Sequence, residues 1–223
     1  MQVESRNPAR PDEVVGLAEA TSLENLNRTV ASAAAASVEW HQAGPAYRAG
    51  ALQAAATSLE GAKEELAQLV TREVGKPIRE SRAEVARAAA ILRYYAQAPF
   101  LADGESFEPT RGDALLLARR FPVGVCALIT PWNFPVAIPI WKAAPALAYG
   151  NAVLLKPSSA SVATGLEVWR ILNDCLPDGV LTLVIGGPDQ ASANLSRRRL
   201  MRSADGQPDV AAGCGTDLRF MRS

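Results

Sequence analysis

Between residues 21 and 75 apolar side chains recur at helical spacing, which predicts helices that each reserve one face for a partner layer. Thr21 followed by Glu24 has the capping-box spacing that opens a helix, and the Ala-rich run through Trp40 fills it. Gly44 and Pro45 break the run. A second stretch carries Leu52, Leu59, Leu66 and Leu69, with Gly61 as a point of division and Gly75 as its end. Pro77 suits the first turn of a further helix, which extends to about residue 98 with Ile78, Val85 and Leu92 on one stripe.

Beyond these helices the period changes. Residues 114–121 read as a strand, and a repeating alternation follows: strand 123–130, helix 138–149, strand 152–155, helix 162–176, strand 180–185. The strands are short unbroken apolar runs, the pattern of a parallel sheet covered on both faces. The expected fold is therefore α/β, a partial doubly wound parallel sheet of Rossmann-like type with N-terminal helices. Ligands of such sheets bind beyond the carboxyl ends of the strands, so the loops 130–135, 156–161 and 186–190 are the candidates. Residues 192–223 break the pattern, with six Arg, three Asp and no legible fourth strand. This tail reads as a solvated terminus rather than a nucleic-acid patch, because Phe220 is its only aromatic residue.

Composition narrows the chemistry. Twenty-three basic residues balance 23 acidic ones, so nothing draws the chain as a whole to nucleic acid or an anionic membrane. Hydrophobic residues make up 48%, enough for a packed core. Cys126, Cys175 and Cys214 are odd in number and far apart, which favours a reducing compartment over a disulfide framework. The early charges of MQVESRNPARPDEV leave no signal-peptide core, and cytoplasm is the expected location. Residues 121–141 lack charge over a length that could span a bilayer, but Pro122, Pro131, Pro135 and Pro139 would leave backbone groups unsatisfied in lipid. With His41 as the single histidine, a His-rich metal site is excluded, and no metal is expected. At a helix end beside Trp40, His41 reads as structural.

Three segments carry specific wording: Ile129-Thr130-Pro131-Trp132-Asn133-Phe134-Pro135, then Trp141-Lys142-Ala143-Ala144-Pro145-Ala146-Leu147-Ala148-Tyr149-Gly150-Asn151, then Leu155-Lys156-Pro157-Ser158. In this order and spacing they resemble the NAD(P)-dependent aldehyde dehydrogenase superfamily, over about residues 7–190. Thr71-Arg72-Glu73-Val74-Gly75-Lys76-Pro77 is similar to a turn of the same family, although its Gly and Pro also serve simply as helix stop and start.

The resemblance implies roles. Asn133 becomes the side-chain donor to the oxyanion formed on an aldehyde; the residues alone equally allow an amide that bonds its own loop. Ile129, Thr130, Pro131 and Trp132 would line the cofactor crevice. Lys156 would reach the adenosine ribose or a 2′-phosphate of NAD or NADP, against the plainer reading of a Lys snorkelling to water. Ser158 and Ser159 flank it, and Ser159 stands where many NAD-preferring members carry a Glu, so NADP or dual use is expected. Gly186, with Gly187, resembles a turn on the adenine side and also suits any strand end. Lys142 matches a family Lys near the active centre, with a helix-surface Lys as the alternative.

Partners implied are an aldehyde and further copies of the chain, residues 114–121 resembling part of an oligomerisation arm. The family's Cys nucleophile and Glu base fall beyond this chain on the family's spacing. Cys214 lacks the expected surroundings, and Cys126 and Cys175 read as inert thiols. The wording of residues 137–142 is closest to semialdehyde-oxidising members. The expectation is an N-terminal portion of such an enzyme, truncated and inactive alone; a non-catalytic nucleotide-binding or interaction fragment, or a non-functional product, are the alternatives. Without a fourth strand, strand 123–130 would keep an unpaired edge and the chain would be poorly stable.

Overall fold

A computed structural model describes residues 1–110, 112 and 114–187, together with the backbone of residues 200–204. The helical layer matches the apolar stripes closely: α1 (Leu23–Gln42), α2 (Gly44–Gly61), α3 (Lys63–Val74) and α4 (Ile78–Tyr95). Gly61 does divide the second stretch. Gly75 ends α3 at φ +82°, a left-handed conformation that suits glycine at this position. The α1 cap differs by one residue from the capping-box expectation. Ser22 Oγ accepts from Asn25 N, while the Thr21 hydroxyl accepts from Ile185 N and so ties the helix start to the sheet.

Two elements escape the helix and strand patterns. Residues 1–20 form an antiparallel hairpin, β1 (Gln2–Asn7) with β2 (Arg10–Glu19). A second hairpin pairs β3 (Gly104–Phe107) with β4 (Leu116–Arg119), so the strand expected over 114–121 is shorter and has a partner.

The parallel sheet comprises β5 (Val125–Ile129), β6 (Ala152–Lys156), β7 (Leu181–Leu183) and β8 (Leu200–Ala204), in the order β7-β6-β5-β8. Helices α5 (Ala137–Ala148) and α6 (Val162–Asn173) connect the first three strands. Alternate side chains sort to two faces. Cys126, Leu128, Val153 and Leu155 pack with α2, α4, α5 and α6, whereas Val125, Ala127, Ala152 and Leu154 meet Leu26 and Ala33 of α1. Both faces are thus covered, as the apolar runs predict.

The expectation of no fourth strand is corrected by β8, which pairs in parallel with every residue of β5. The supposed free edge of β5 is occupied, and the instability argued from it loses its basis. The sheet order also places a topological switch between β5 and β8, because β6 lies to one side of β5 and β8 to the other.

Candidate functional site

At the carboxyl end of the sheet the expected loops come together. Ile129 pairs with Lys156 across β5 and β6, and Thr130 N donates to Lys156 O at 3.1 Å. Ser159 Oγ makes a long 3.4 Å contact with Gly186 O, which links the loops after β6 and β7. Gly165 on α6 lies so close to Pro157 that a Cβ there would sit 2.5 Å from the proline ring. Glycine therefore lets α6 press the Lys156 loop against the sheet.

Lys156 is not the snorkelling side chain of the plainer reading. It is 6% exposed, its Nζ donates at 3.1 Å to Pro157 O, and burial pushes its pKa down. Thr130, 2% exposed, has a buried Oγ1 without a hydrogen-bond partner. An ammonium with one carbonyl acceptor and an orphaned hydroxyl, both at the sheet's carboxyl end, are the groups that a ribose or phosphate oxygen would satisfy. The residues present thus fit the adenosine end of NAD(P). Ser158 Oγ accepts from Ala160 N and serves its own turn.

The Asn133 loop begins next to Thr130. Pro135 is buried, while Trp132, Asn133 and Phe134 are exposed. Among the described residues the Asn133 side-chain amide makes no hydrogen bond, so it does not bond its own loop and remains available to a ligand. Its carbonyl oxygen is held by Lys76 Nζ at 2.8 Å, and the same ammonium lies 4.3 Å above the Phe134 ring.

Two glutamates hold this end of the molecule, Glu73 of the family-like turn, to which the sequence assigned no role, and Glu84. Glu84 of α4, 3% exposed, accepts from Val136 N at 2.8 Å and Ala137 N at 3.1 Å through Oε1 and pairs with Lys76 through Oε2 at 2.6 Å. Glu73 of α3 accepts from Ala163 N, Thr164 N and Thr164 Oγ1, and from the Ser5 hydroxyl of β1. Each carboxylate satisfies orphan amides at the start of α5 or α6 and complements that helix dipole. Their helical phase was a usable signal: Glu73 follows Leu66 and Val70 on the apolar stripe, and Glu84 lies between Ser81 and Ala88.

Cys126 is buried in β5, whereas Cys175 is only partly buried. Burial pushes the Cys126 thiol up to about 11, and Cys175 Sγ lies against Ser58 Oγ and Ile171 O. His41 O accepts from Arg48, whose other donor caps Ala148 at the end of α5. Lys142 is half-buried on α5. A cavity of about 520 Å³ lies at the opposite, amino end of the sheet, lined by Arg48, Phe121, Cys126 and Tyr149, and contains none of the expected site residues. Cys214 lies outside the described residues. Among the described residues no cluster could hold a metal ion and no helix is long and apolar enough to cross a membrane.

Comparison with known proteins decides what this crevice belongs to. The sequence model of the aldehyde dehydrogenase family matches residues 1–204. The chain belongs to the aldehyde dehydrogenase family. That match includes the N-terminal hairpin and β8, so the family likeness extends past residue 190, where the motifs run out. The chain is 41% identical over 185 residues to the alpha-ketoglutaric semialdehyde dehydrogenase of Bacillus subtilis, covering 82% of this chain and 38% of that protein. It is 42% identical over 161 residues to the NADP/NAD-dependent aldehyde dehydrogenase PuuC of Escherichia coli, covering 71% of this chain and 32% of that protein. The crystal structure of an aldehyde dehydrogenase from Brucella melitensis biovar abortus superimposes with a TM-score of 0.86 at 30% identity, covering 90% of this chain and 42% of the other. The chain thus spans well under half the length of these aldehyde dehydrogenases.

Proposed function

We propose that this chain provides the adenosine-binding and oxyanion-donor part of an NAD(P)-dependent aldehyde dehydrogenase, with NADP the preferred cofactor. The observation that carries the reading is the buried Lys156 ammonium at the carboxyl end of the sheet, with Pro157 O as its acceptor. NAD(P), where bound, supplies the hydride acceptor. Lys156 supplies positive charge to ribose hydroxyls or a 2′-phosphate, and Ser159 introduces no competing negative charge. Asn133 offers an N–H donor to a developing oxyanion, a contribution of about 10²- to 10³-fold in rate for donors of this kind. Calorimetry tests the cofactor preference: NADP binds more tightly than NAD, and Ser159→Glu reverses the order by like-charge repulsion. Tighter NAD binding to the unsubstituted chain would contradict it.

A semialdehyde is the substrate class, supported by the identity with the Bacillus subtilis semialdehyde dehydrogenase. For the 223-residue chain on its own the expected outcome is cofactor binding without aldehyde oxidation, since no cysteine is assigned as the nucleophile and the Cys126 thiol is buried and protonated at neutral pH. NAD(P)H production with a panel of aldehydes checks this, and turnover that vanishes in Cys214→Ser would overturn it. The same reading places β3 and β4 against another copy of the chain, supported by the exposed Leu115, Leu116 and Leu117. It retains a cytoplasmic location, which the free thiols Cys126 and Cys175 favour.

A further inference from the structure

Asn133 can act on a ligand only if its loop is fixed, and the contacts that fix it come from outside the sheet. The loop leaves β5 with Pro131 and enters α5 at Ala137. Between those points Lys76 Nζ holds Asn133 O at 2.8 Å, and Glu84 Oε1 holds Val136 N and Ala137 N. The Lys76–Glu84 contact of 2.6 Å joins the two grips into one clamp across residues 133–137. We infer that Lys76 and Glu84 are positioning residues for the Asn133 side-chain amide, a role that rests on reading Asn133 as the oxyanion donor.

The geometry separates this clamp from ordinary helix capping. A carboxylate alone would satisfy the first amides of α5, as Glu73 does for α6 with only neutral donors around it. Glu84 has in addition a cation whose remaining reach goes to the backbone of the residue in question and to the ring of its neighbour Phe134. With its carbonyl pinned on one side, the Asn133 peptide has a defined orientation, and its side chain leaves from a fixed Cα. Loss of Lys76 frees that peptide while the helix cap persists. Loss of the Glu84 charge loosens both.

The test uses the full chain labelled with ¹⁵N at asparagine, the Asn133 side-chain amide pair being identified by its loss in Asn133→Gln. Lys76→Met and Glu84→Gln are expected to shift and broaden that pair, and Glu84→Gln to speed exchange of the Val136 and Ala137 amides by about tenfold. Lys76→Arg, which keeps a cationic donor, restores the signal. Glu73→Gln, which weakens an equally buried cap on the neighbouring helix, lowers the melting temperature without moving the Asn133 pair. An Asn133 pair unmoved by Lys76→Met, or moved as much by Glu73→Gln, overturns the inference. Should Glu84→Gln fail to fold, Lys76→Met decides alone, because Lys76 sits at the rim of the cluster with 12% of its side chain exposed. Cofactor titration of the unsubstituted chain reports on the proposed function separately: absent NADP binding with a responsive Asn133 pair would sink that function and leave the clamp standing.

Discussion

The loop 130–135 and the loop 156–161 each run from a buried parallel strand towards a helix, and each helix begins on a buried glutamate, Glu84 for α5 and Glu73 for α6. Helix starts beyond parallel strands are the usual place for a ligand's phosphate. Here both carry a carboxylate of the protein, so in the proposed function a side chain, Lys156, supplies the charge for a cofactor. The two loops differ in what else is charged. Glu73 is surrounded by Ser5, Thr164 and amides, whereas Glu84 is paired with Lys76. The loop 156–161 is thus set by helix capping alone, and the loop 130–135 by capping plus an ion pair that also grips the backbone.

Removing each carboxylate has the largest expected effect. Glu84→Ala leaves two amides and the Lys76 ammonium without their acceptor and is expected to cost about 3 kcal/mol. Glu73→Ala orphans only neutral donors, and about 2 kcal/mol is expected. Urea melts of both variants check the order; a larger loss in Glu73→Ala would show that the ion pair adds nothing.

A smaller effect separates Lys156 from these structural charges. Burial lowers its pKa from 10.5 in the folded chain, so between the lowered value and 10.5 the unfolded chain holds more protons. Stability therefore rises with pH through that alkaline window. Lys156→Met abolishes the rise and leaves stability at neutral pH unchanged or higher by up to about 1 kcal/mol, because it removes a poorly compensated buried charge. Melts at several pH values measure it. Destabilisation by Lys156→Met at neutral pH would place Lys156 with the structural group instead.

Smallest is the effect expected at the other end of the sheet. Cys126, pushed up to about 11, should alkylate at pH 8 about tenfold more slowly than Cys175, as mapped by mass spectrometry. Equal rates would mean that the sheet opens at β5.

How much of this was legible in the sequence follows from where each signal resides. The helices and the strands β5, β6 and β7 were readable because apolar period alone sets them. The N-terminal hairpin was not, although Val3, Ser5 and Asn7 alternate inward, because two of those inward residues are polar. Ser5 turns inward to donate to Glu73 and Asn7 to donate to Glu13, partners that lie far away or across the hairpin. For β8 the sequence Leu200–Ala204 carries little β pattern, and its strand character comes from pairing along β5. The three motif segments located the crevice, and burial then distinguished Lys156 from a surface Lys. The capping roles of Glu73, quoted only as part of the Thr71–Pro77 turn, and of Glu84 were not legible because a single Glu on an amphipathic helix is normally exposed; only its phase on the stripe marks it.

The proposed function gives Lys156 the charge that meets the cofactor. Titration calorimetry with NADP, on the unsubstituted chain and on Lys156→Met, addresses this directly. Saturable binding that weakens at least about tenfold in Lys156→Met, and that falls in the unsubstituted chain as pH rises through the lowered lysine pKa, is the predicted result. Equal binding by the two chains, or no binding by the unsubstituted one, would contradict it.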